Sequence, residues 1–374
     1  MKPYICSILF LITTNFSFAQ SKELVLKDNY EIDENTTLDI DIDNASIVFE
    51  ESKDNKVYFN YSIVFNQDSE DIKYRVFKGI NAKSSKVNNS IKLHVKNTMY
   101  LGELHVLDVD LNTYKKHIKA LFRRKKQNEF LYKTKDSVVK EINFSLGTDS
   151  NDYFKKLKLE NPNKDYGKSY RKFKQHFIVK VPKNIKIKIK ALHSRIHFTY
   201  DVHNQLEVSS FKTYYKFKKL INKHNSFKLM NGLFQVEKIL GGNFKLTDIY
   251  KARIGAIINT NLHTETSKIQ IGEVGKNVSV TDFDSKYHIY NFSNSFIKFK
   301  YLGDYSEVNL YKVKEANYTM DVFGFNTALN MNGNKTIFGD SKDKKRTKIL
   351  EKKPKNNSLN KTEIELKNGI LNIK

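Results

Sequence analysis

Residues 243–262 read NFKLTDIYKARIGAIINTNL. Phe244 and Leu262 each directly follow an Asn, and Ile254 stands between them. This metre extends in both directions. One apolar series runs Phe198, Phe217, Val236, Ile254, Ile271, Ile289, Leu310 and Leu329, at spacings of 19, 19, 18, 17, 18, 21 and 19. A second, Leu206, Phe227, Phe244, Leu262, Val278, Ile297 and Tyr318, follows it at offsets of 8, 10, 8, 8, 7, 8 and 8. Asn204, Asn225, Asn243, Asn261, Asn277, Asn294 and Asn317 lie just ahead of the second series. Asn tolerates left-handed backbone and bonds its own main chain, so it suits a tight bend. Gly232, Gly242, Gly275, Gly303, Gly324 and Gly333 punctuate the same bends.

A strand, a bend, a second strand and a second bend in about nineteen residues describe one coil of a β-solenoid. One coil cannot close a core alone, but stacked coils bury a continuous apolar column. An antiparallel sandwich, with its closely spaced short strands, is the alternative. The Asn recurs once per two strands, and that favours the solenoid. The rest of the chain is β in character too. Leu38–Ile42 and Ile185–Lys190 alternate apolar and polar strictly, and period two marks a strand with one buried face. Val57–Ile63 does so with Tyr58 toward solvent. Ile40 to Val48 and Ile40 to Phe59 repeat the metre, with Asn44 at the bend. Helical patterns are few. One is capped by Ser69-Glu70-Asp71 and runs through Ile72, Val76 and Ile80; another covers Tyr114–Lys126.

Three stretches carry a family resemblance: residues 40–49 (IDIDNASIVF), the coils with Asn before the second strand, and residues 368–373 (NGILNI). On these the chain resembles the exported putative-adhesin families of Gram-negative bacteria, which include the head GIN domain. The resemblance covers residues 36–96 and 177–339 and the last strand. It implies a signal peptide, a β-solenoid and no catalytic machinery. The chain departs from that pattern by an insertion near 112–176.

Residues 1–19 read as a signal peptide. Lys2 gives the basic start, Ile5 and Ile8–Ile12 the short apolar run, and Ser17-Phe18-Ala19 the small residues before a cut at Gln20. The single Cys, Cys6, lies inside that apolar run. The exported chain therefore has no disulfide, no cysteine-built zinc site and no lipid anchor. With 39% apolar and 28% charged residues, the chain can bury a core. No later apolar run is long enough for a transmembrane helix.

The net charge is +24, from 65 Lys and Arg against 41 Asp and Glu. It is uneven: residues 112–176 hold 18 basic against 7 acidic side chains, and residues 340–374 hold 11 against 5, centred on Lys344-Lys345-Arg346. In the insertion, Lys115, Lys116, Lys119, Arg123, Arg124, Lys125 and Lys126 cluster around Tyr114, Ile118, Leu121 and Phe122. On a helix this is a basic amphipathic face, the polyanion-contact candidate. A solvated lysine-rich loop is the plain alternative.

Other constellations read as structural. Asp39, Asp41, Asp43 and Glu50 match the carboxylate positions of a calcium loop, but Asn44 stands where that loop needs Gly. Ile40 and Ile42 alternate as in a strand, so a solvated acidic strand face is the better reading. His193 and His197 are four apart, a chelating interval on a helix but roughly 13 Å along a strand. His263 and His288 stand alone. Asp282 and Asp284 fall at a coil bend. No nucleophile elbow, Walker loop or dinucleotide fingerprint occurs.

The sequence thus reads as an all-β, exported, non-enzymatic envelope protein. It is a β-solenoid of two-strand coils, each of about nineteen residues, with no metal or cofactor and no catalytic residue. The expected division is 1–19 signal peptide, 20–111 N-terminal β region, 112–176 basic insertion, 177–339 solenoid repeats, and 340–374 basic segment with terminal strands. Expected partners are anionic polysaccharide, lipopolysaccharide or an envelope protein, at the periplasm or cell surface. Sequence-specific nucleic-acid reading is not expected, since export removes the chain from the genome. The alternatives are a polysaccharide-active β-helix enzyme and a partner of an envelope sensing system.

Overall fold

A computed structural model describes residues 21–65, 70–98, 105–106, 170–171, 173–312, 318–331, 333–338, 347–353 and 360–374. The N-terminal region holds β1 (Ser21–Glu31), β2 (Thr37–Asp43), β3 (Ser46–Glu51), β4 (Lys56–Phe65), α1 (Glu70–Lys78), β5 (Ile80–Val87) and β6 (Ser90–Asn97). Two short strands follow, β7 (His105–Val106) and β8 (Tyr170–Arg171), then β9 (Phe173–Val181). The regular coils comprise β10 (Lys186–Leu192), β11 (Arg195–Phe198), β12 (Leu206–Phe211), β13 (Tyr214–Leu220), β14 (Ser226–Met230), β15 (Leu233–Ile239), β16 (Gly242–Thr247), β17 (Lys251–Ile257), β18 (Thr260–Glu265), β19 (Lys268–Val274), β20 (Val278–Phe283), β21 (Lys286–Phe292), β22 (Lys298–Asp304) and β23 (Glu307–Leu310). The C-terminal region adds β24 (Thr319–Phe325), β25 (Thr327–Met331), β26 (Asn334–Phe338), β27 (Thr347–Lys352), β28 (Lys361–Lys367) and β29 (Ile370–Ile373).

Contacts divide the chain into two units. The smaller comprises Met1–Glu23, Ile63–Tyr74 and Glu103–Lys174; the larger comprises Leu24–Ser62, Arg75–Gly102 and Gln175–Lys374. In the smaller unit β7 and β8 pair antiparallel, His105 against Arg171 and Val106 against Tyr170. The Phe65 and Phe173 rings lie 6.0 Å apart, and Lys73 reaches Glu23 at 3.5 Å.

The larger unit is a β-solenoid. The chain alternates between two long sheets, and each coil pairs in parallel with the next. The first sheet runs β1-β4-β9-β3-β11-β13-β15-β17-β19-β21-β23-β29-β25-β26; the second runs β27-β24-β28-β22-β20-β18-β16-β14-β12-β10-β2-β6-β5. Period-two alternation drives this: polar residues face out and apolar ones stack in register. In the second sheet one buried ladder runs Leu93, Ile40, Ile189, Val208, Phe227, Phe244, Leu262, Val280, Tyr301, Ile364, Val322. In the first, a ladder runs Phe177, Ile47, Ile196, Tyr215, Phe234, Ala252, Ile269, Tyr287, Val308, Leu371, Leu329.

The coil has a third side that the two-strand reading omits. Two successive residues face out in mid-strand, as at Lys218-Lys219. The corner then turns Leu220, Ile239, Ile257, Val274 and Phe292 into a further buried, in-register column.

Bends obey a different rule from the expected one. Left-handed residues fall once per coil between second-sheet and first-sheet strands: Asn44, His193, Lys212, Asn231, Asp248, Thr266, Asp284, Tyr305, Asn326 and Asn368. Most are Asn or Asp, which bear that geometry at least cost. The residue after each is Ala, Ser, Thr, Gly or Ile, and its hydroxyl, where present, bonds the bend carbonyls. Ser267 Oγ donates to Leu246 O at 3.2 Å and accepts from Ile249 N at 2.9 Å. At the opposite bend Asn277 is left-handed, but Asn204, Asn225, Asn243 and Asn261 are not. Asn204 is buried and donates to Pro182 O at 2.7 Å and Ile185 O at 3.0 Å; Asn225 Oδ1 accepts from Leu206 N at 2.9 Å. These side chains replace missing strand bonds between coils. Gly303 and Gly324 lie inside β22 and β24 instead of at bends.

Both ends are interleaved. β2–β3 lies between β10–β11 and the pair β6 and β9, so Phe59, in β4, is not the next coil after Ile40. At the far end β28–β29 slots between β22–β23 and β24–β25. Leu310 pairs with Ile373, and Leu329 with Leu371. The interval from Leu310 to Leu329 is therefore not a coil step. Of the second series, Val278 and Leu206 sit two residues before the ladder positions of their strands, Val280 and Val208, and Ile297 is exposed while Phe299 is buried. Antiparallel strands close the sheet ends: β5 on β6, β26 on β25 and β27 on β24.

Candidate functional site

The outer face of the second sheet carries rows of side chains at fixed register. One row runs His94, Asp41, Lys190, Ser209, Lys228, Lys245 and His263. Adjacent members stand on adjacent coils, about 4.8 Å apart. Two positions further along each strand lies a second row, Leu192, Phe211 and Met230. Leu192 is 44% and Met230 47% exposed, although both are large and apolar. A trough of about 520 Å³ runs between the rows, with Asp41, Lys190, Lys228 and Lys245 on one side and the apolar three on the other; the one carboxylate, Asp41, stands at its end beside Lys190. None of these three lysines has an ion-pair partner among the described residues. Lys212 lies over the Phe211 ring, 5.3 Å from its centroid.

A second trough of about 580 Å³ continues on the same face, lined by Asp39, Asp41, Lys92, His94, Lys188 and Lys190. Here the carboxylates are paired. Asp39 accepts from Ser90 Oγ at 2.9 Å and faces Lys188 at 3.9 Å. Asp41 faces His94 at 3.4 Å, and Asp43 faces His193 at 3.4 Å. Glu50 lies on the other sheet, 3.2 Å from Lys180. The calcium-loop carboxylates are thus splayed along strands, each against a neighbour on another coil. Glu207 is held below the usual carboxylate range by its hydrogen bond to Lys186, 2.9 Å away.

His193 occupies a left-handed bend and His197 the outer row of β11. Burial holds the His197 imidazole below its usual range, and Lys216 adds to this. His263 is exposed in the lysine row; His288 is half-buried, 3.1 Å from Tyr311 Oη, with its imidazole also lowered by burial. Asp284 is exposed at a bend, but Asp282 is buried. Its carboxylate accepts from Thr264 Oγ1, from Tyr301 Oη at 2.9 Å and from Ser306 Oγ at 2.6 Å. Thr264 Oγ1 also meets Tyr287 Oη at 2.6 Å. Gly303 lies opposite Asp282, and a Cβ there would meet Tyr301 at 2.6 Å and Ser306 at 2.8 Å. This network is internal, closed by hydroxyls. The expected polyanion contacts Lys115, Lys116, Lys119, Arg123, Arg124, Lys125 and Lys126 lie outside the described residues.

The sequence reading missed the exposed apolar row and the lysine row beside it. Lys190, Lys228 and Lys245 are widely and unevenly separated in sequence; only the coil register aligns them. Among the described residues no helix is long and apolar enough to cross a membrane, and no group of three or more His, Cys, Asp or Glu is placed to hold a metal.

No family model matches the chain, and no curated protein matches it. Two solved structures align along most of its length. One is a putative adhesin from Bacteroides fragilis, at 10% identity over 95% of this chain and 98% of that one, with a TM-score of 0.29. The other is a putative cell adhesion protein from Clostridium sporogenes, at 10% identity over 95% and 99%, with a TM-score of 0.19. Superpositions this loose transfer no site and no activity.

Proposed function

We propose that this chain is an exported, non-enzymatic envelope protein of adhesin-like kind, a rigid solenoid whose outer face binds anionic polymers. The observation that carries this is the row Lys190, Lys228 and Lys245, three cations without ion-pair partners among the described residues, aligned by register beside an open trough. Aligned, unpaired cations raise the local potential toward an extended polyanion more than scattered ones do. Export rests on the reading of residues 1–19 and adhesin-like character on the family resemblance. A non-enzymatic role is favoured because Asp39, Asp41, Asp43 and Glu50 face partners on neighbouring coils and Asp282 is sealed inside by hydroxyls.

The test is retention on immobilised heparin-like polysaccharide, lipopolysaccharide and DNA at two salt concentrations. Counterion release makes polyanion binding fall with salt. The triple substitution Lys190→Gln, Lys228→Gln and Lys245→Gln should reduce both retention and its salt slope. Salt-insensitive retention, unchanged in the triple variant, removes the lysine row from function.

A further inference from the structure

We infer that the trough takes one strand of an acidic polysaccharide lying along the solenoid axis. Carboxylates of the polymer rest on Lys190, Lys228 and Lys245, and the C–H faces of its rings rest on Leu192, Phe211 and Met230. This rests on the polyanion reading above and narrows it to a ligand class.

Periodicity is the first argument. The rows run across the strands, so their pitch is the strand spacing, about 4.8 Å. That is close to the length of one pyranose unit in an extended polysaccharide. An extended peptide presents same-face side chains only about every 6.6 Å. Its main chain would also need donors and acceptors, and those of this sheet are already spent in the parallel ladders.

Chemistry is the second argument. A ligand with one charged edge and one apolar face matches two parallel rows set side by side. Uronic-acid polymers have that character, with carboxylates at the edge and C–H groups on the ring face. Lys228 and Lys245 are on adjacent coils, and Ser209 separates Lys228 from Lys190. The row therefore does not require a charge on every sugar, and the Ser209 hydroxyl offers a donor and an acceptor at the uncharged rung. Single-stranded nucleic acid binds by stacking successive bases on aromatic rings. This trough has one ring, Phe211; Leu192 and Met230 are aliphatic.

The experiment compares the full chain with two variants. One carries the three Lys→Gln changes. The other carries Leu192→Thr, Phe211→Thr and Met230→Thr, which keep strand propensity. Probes are polygalacturonate, inorganic polyphosphate and oligothymidylate at two salt concentrations, with far-UV circular dichroism and melting as folding controls. The unaltered protein should prefer polygalacturonate. The Thr variant should lose about tenfold on polygalacturonate, the equivalent of roughly 60 Å² of apolar contact. Its binding to polyphosphate should stay within about twofold. The Gln variant should weaken on both. If the Gln variant weakens and the Thr variant binds polygalacturonate like the parent, this inference falls while the polyanion reading stands. If oligothymidylate binds tightest, the ligand class is wrong. If the Gln variant binds every probe like the parent, both readings fall.

Discussion

Phe227 and Phe244 pair in register on adjacent coils, their rings stacked 4.8 Å apart at an interplanar angle of 13°. Stacking at the coil pitch is what parallel in-register pairing of like residues produces. Phe49 on Phe198 (4.2 Å, 4°), another parallel register pair, does the same elsewhere in the solenoid.

Phe244 is 2% exposed, while Lys245 on the same strand faces out. Phe244→Asp would place a carboxylate without a partner inside the aromatic column, which the fold tolerates only by opening locally. The expected loss is about 3–5 kcal/mol. Lys245→Asp should cost under about 1 kcal/mol. Thermal melts of the two variants check this; equal melting temperatures would show that the register is wrong.

Much of the solenoid is legible in the sequence because its signals are local. Ile187, Ile189 and Ala191 alternate with lysines, and Phe217, Val236, Ile254 and Ile271 recur at the coil length. The interleaved ends are not legible, because periodicity records how often a coil occurs and not which coils are neighbours. Leu310 and Leu329 keep the metre yet are parted by Leu371 and Ile373. Bend geometry was misplaced because Asn serves two purposes. Asn44 and Asn231 supply left-handed backbone, whereas Asn204 and Asn225 supply side-chain hydrogen bonds. The trough was invisible because exposure of Leu192 and Met230 depends on which strand face each takes.

The interleaved C-terminal coil gives the second prediction. Among the described residues, β24 and β25 pair with the solenoid through β28 and β29. Ile364, Leu366, Leu371 and Ile373 are all buried there. Deleting residues 361–374 should lose on the order of 5 kcal/mol or more of burial and free the preceding strands. Limited proteolysis should then cut within 318–353, and a synthetic 361–374 peptide should restore protection. A truncated protein as resistant as the parent would contradict the strand order.

Asp282 gives the third. Asp282→Leu relieves the desolvation of a carboxylate but strands the Tyr301 hydroxyl and takes one partner each from Thr264 and Ser306, which keep Tyr287 Oη and Asp304 O. A buried hydroxyl left unsatisfied costs about 1–3 kcal/mol and each further lost bond about 1 kcal/mol, so the hydrogen-bond loss wins. The net effect should be destabilisation of about 2–4 kcal/mol, with Asp282→Asn milder because an acceptor remains. Denaturant melts check the order; a Leu variant as stable as the parent would show the network to be dispensable.

Tyrosine ionisation gives the fourth. The chain has 21 Tyr and no Trp, so its ultraviolet titration reports phenols cleanly. Burial raises the phenols of Tyr61, Tyr200, Tyr215, Tyr287, Tyr301 and Tyr318 above their usual range; the Asp282 carboxylate adds to this at Tyr287 and Tyr301. The folded state therefore favours their neutral form. Their contribution to stability is intact below the unfolded value, about 10, and is lost as pH rises beyond it. These six should ionise only together with loss of the β-sheet dichroism. One common transition near pH 10 with the dichroism intact would refute it.

The basic segment gives the last. β7 and β8 pair antiparallel, so the chain leaves at Val106 and returns at Tyr170 on directly opposed rungs. Residues 112–169 carry 15 Lys and Arg against 7 Asp and Glu. A segment with adjacent ends can be shortened at little cost, because closure entropy changes slowly with loop length. β9 begins at Phe173, and Phe177 pairs with Ile47, so the replaced stretch must stop before Tyr170. A short Gly/Ser bridge in place of 112–169 should leave the circular dichroism and melting of the solenoid in place. If the segment supplies polyanion contacts, the bridged protein should keep the polygalacturonate preference of the trough. It should lose part of the salt-dependent retention on polyphosphate and DNA, with a smaller salt slope. Retention and slope equal to the parent would place all polyanion binding on the solenoid face. A bridged chain that does not fold would show that residues 112–169 form part of the core.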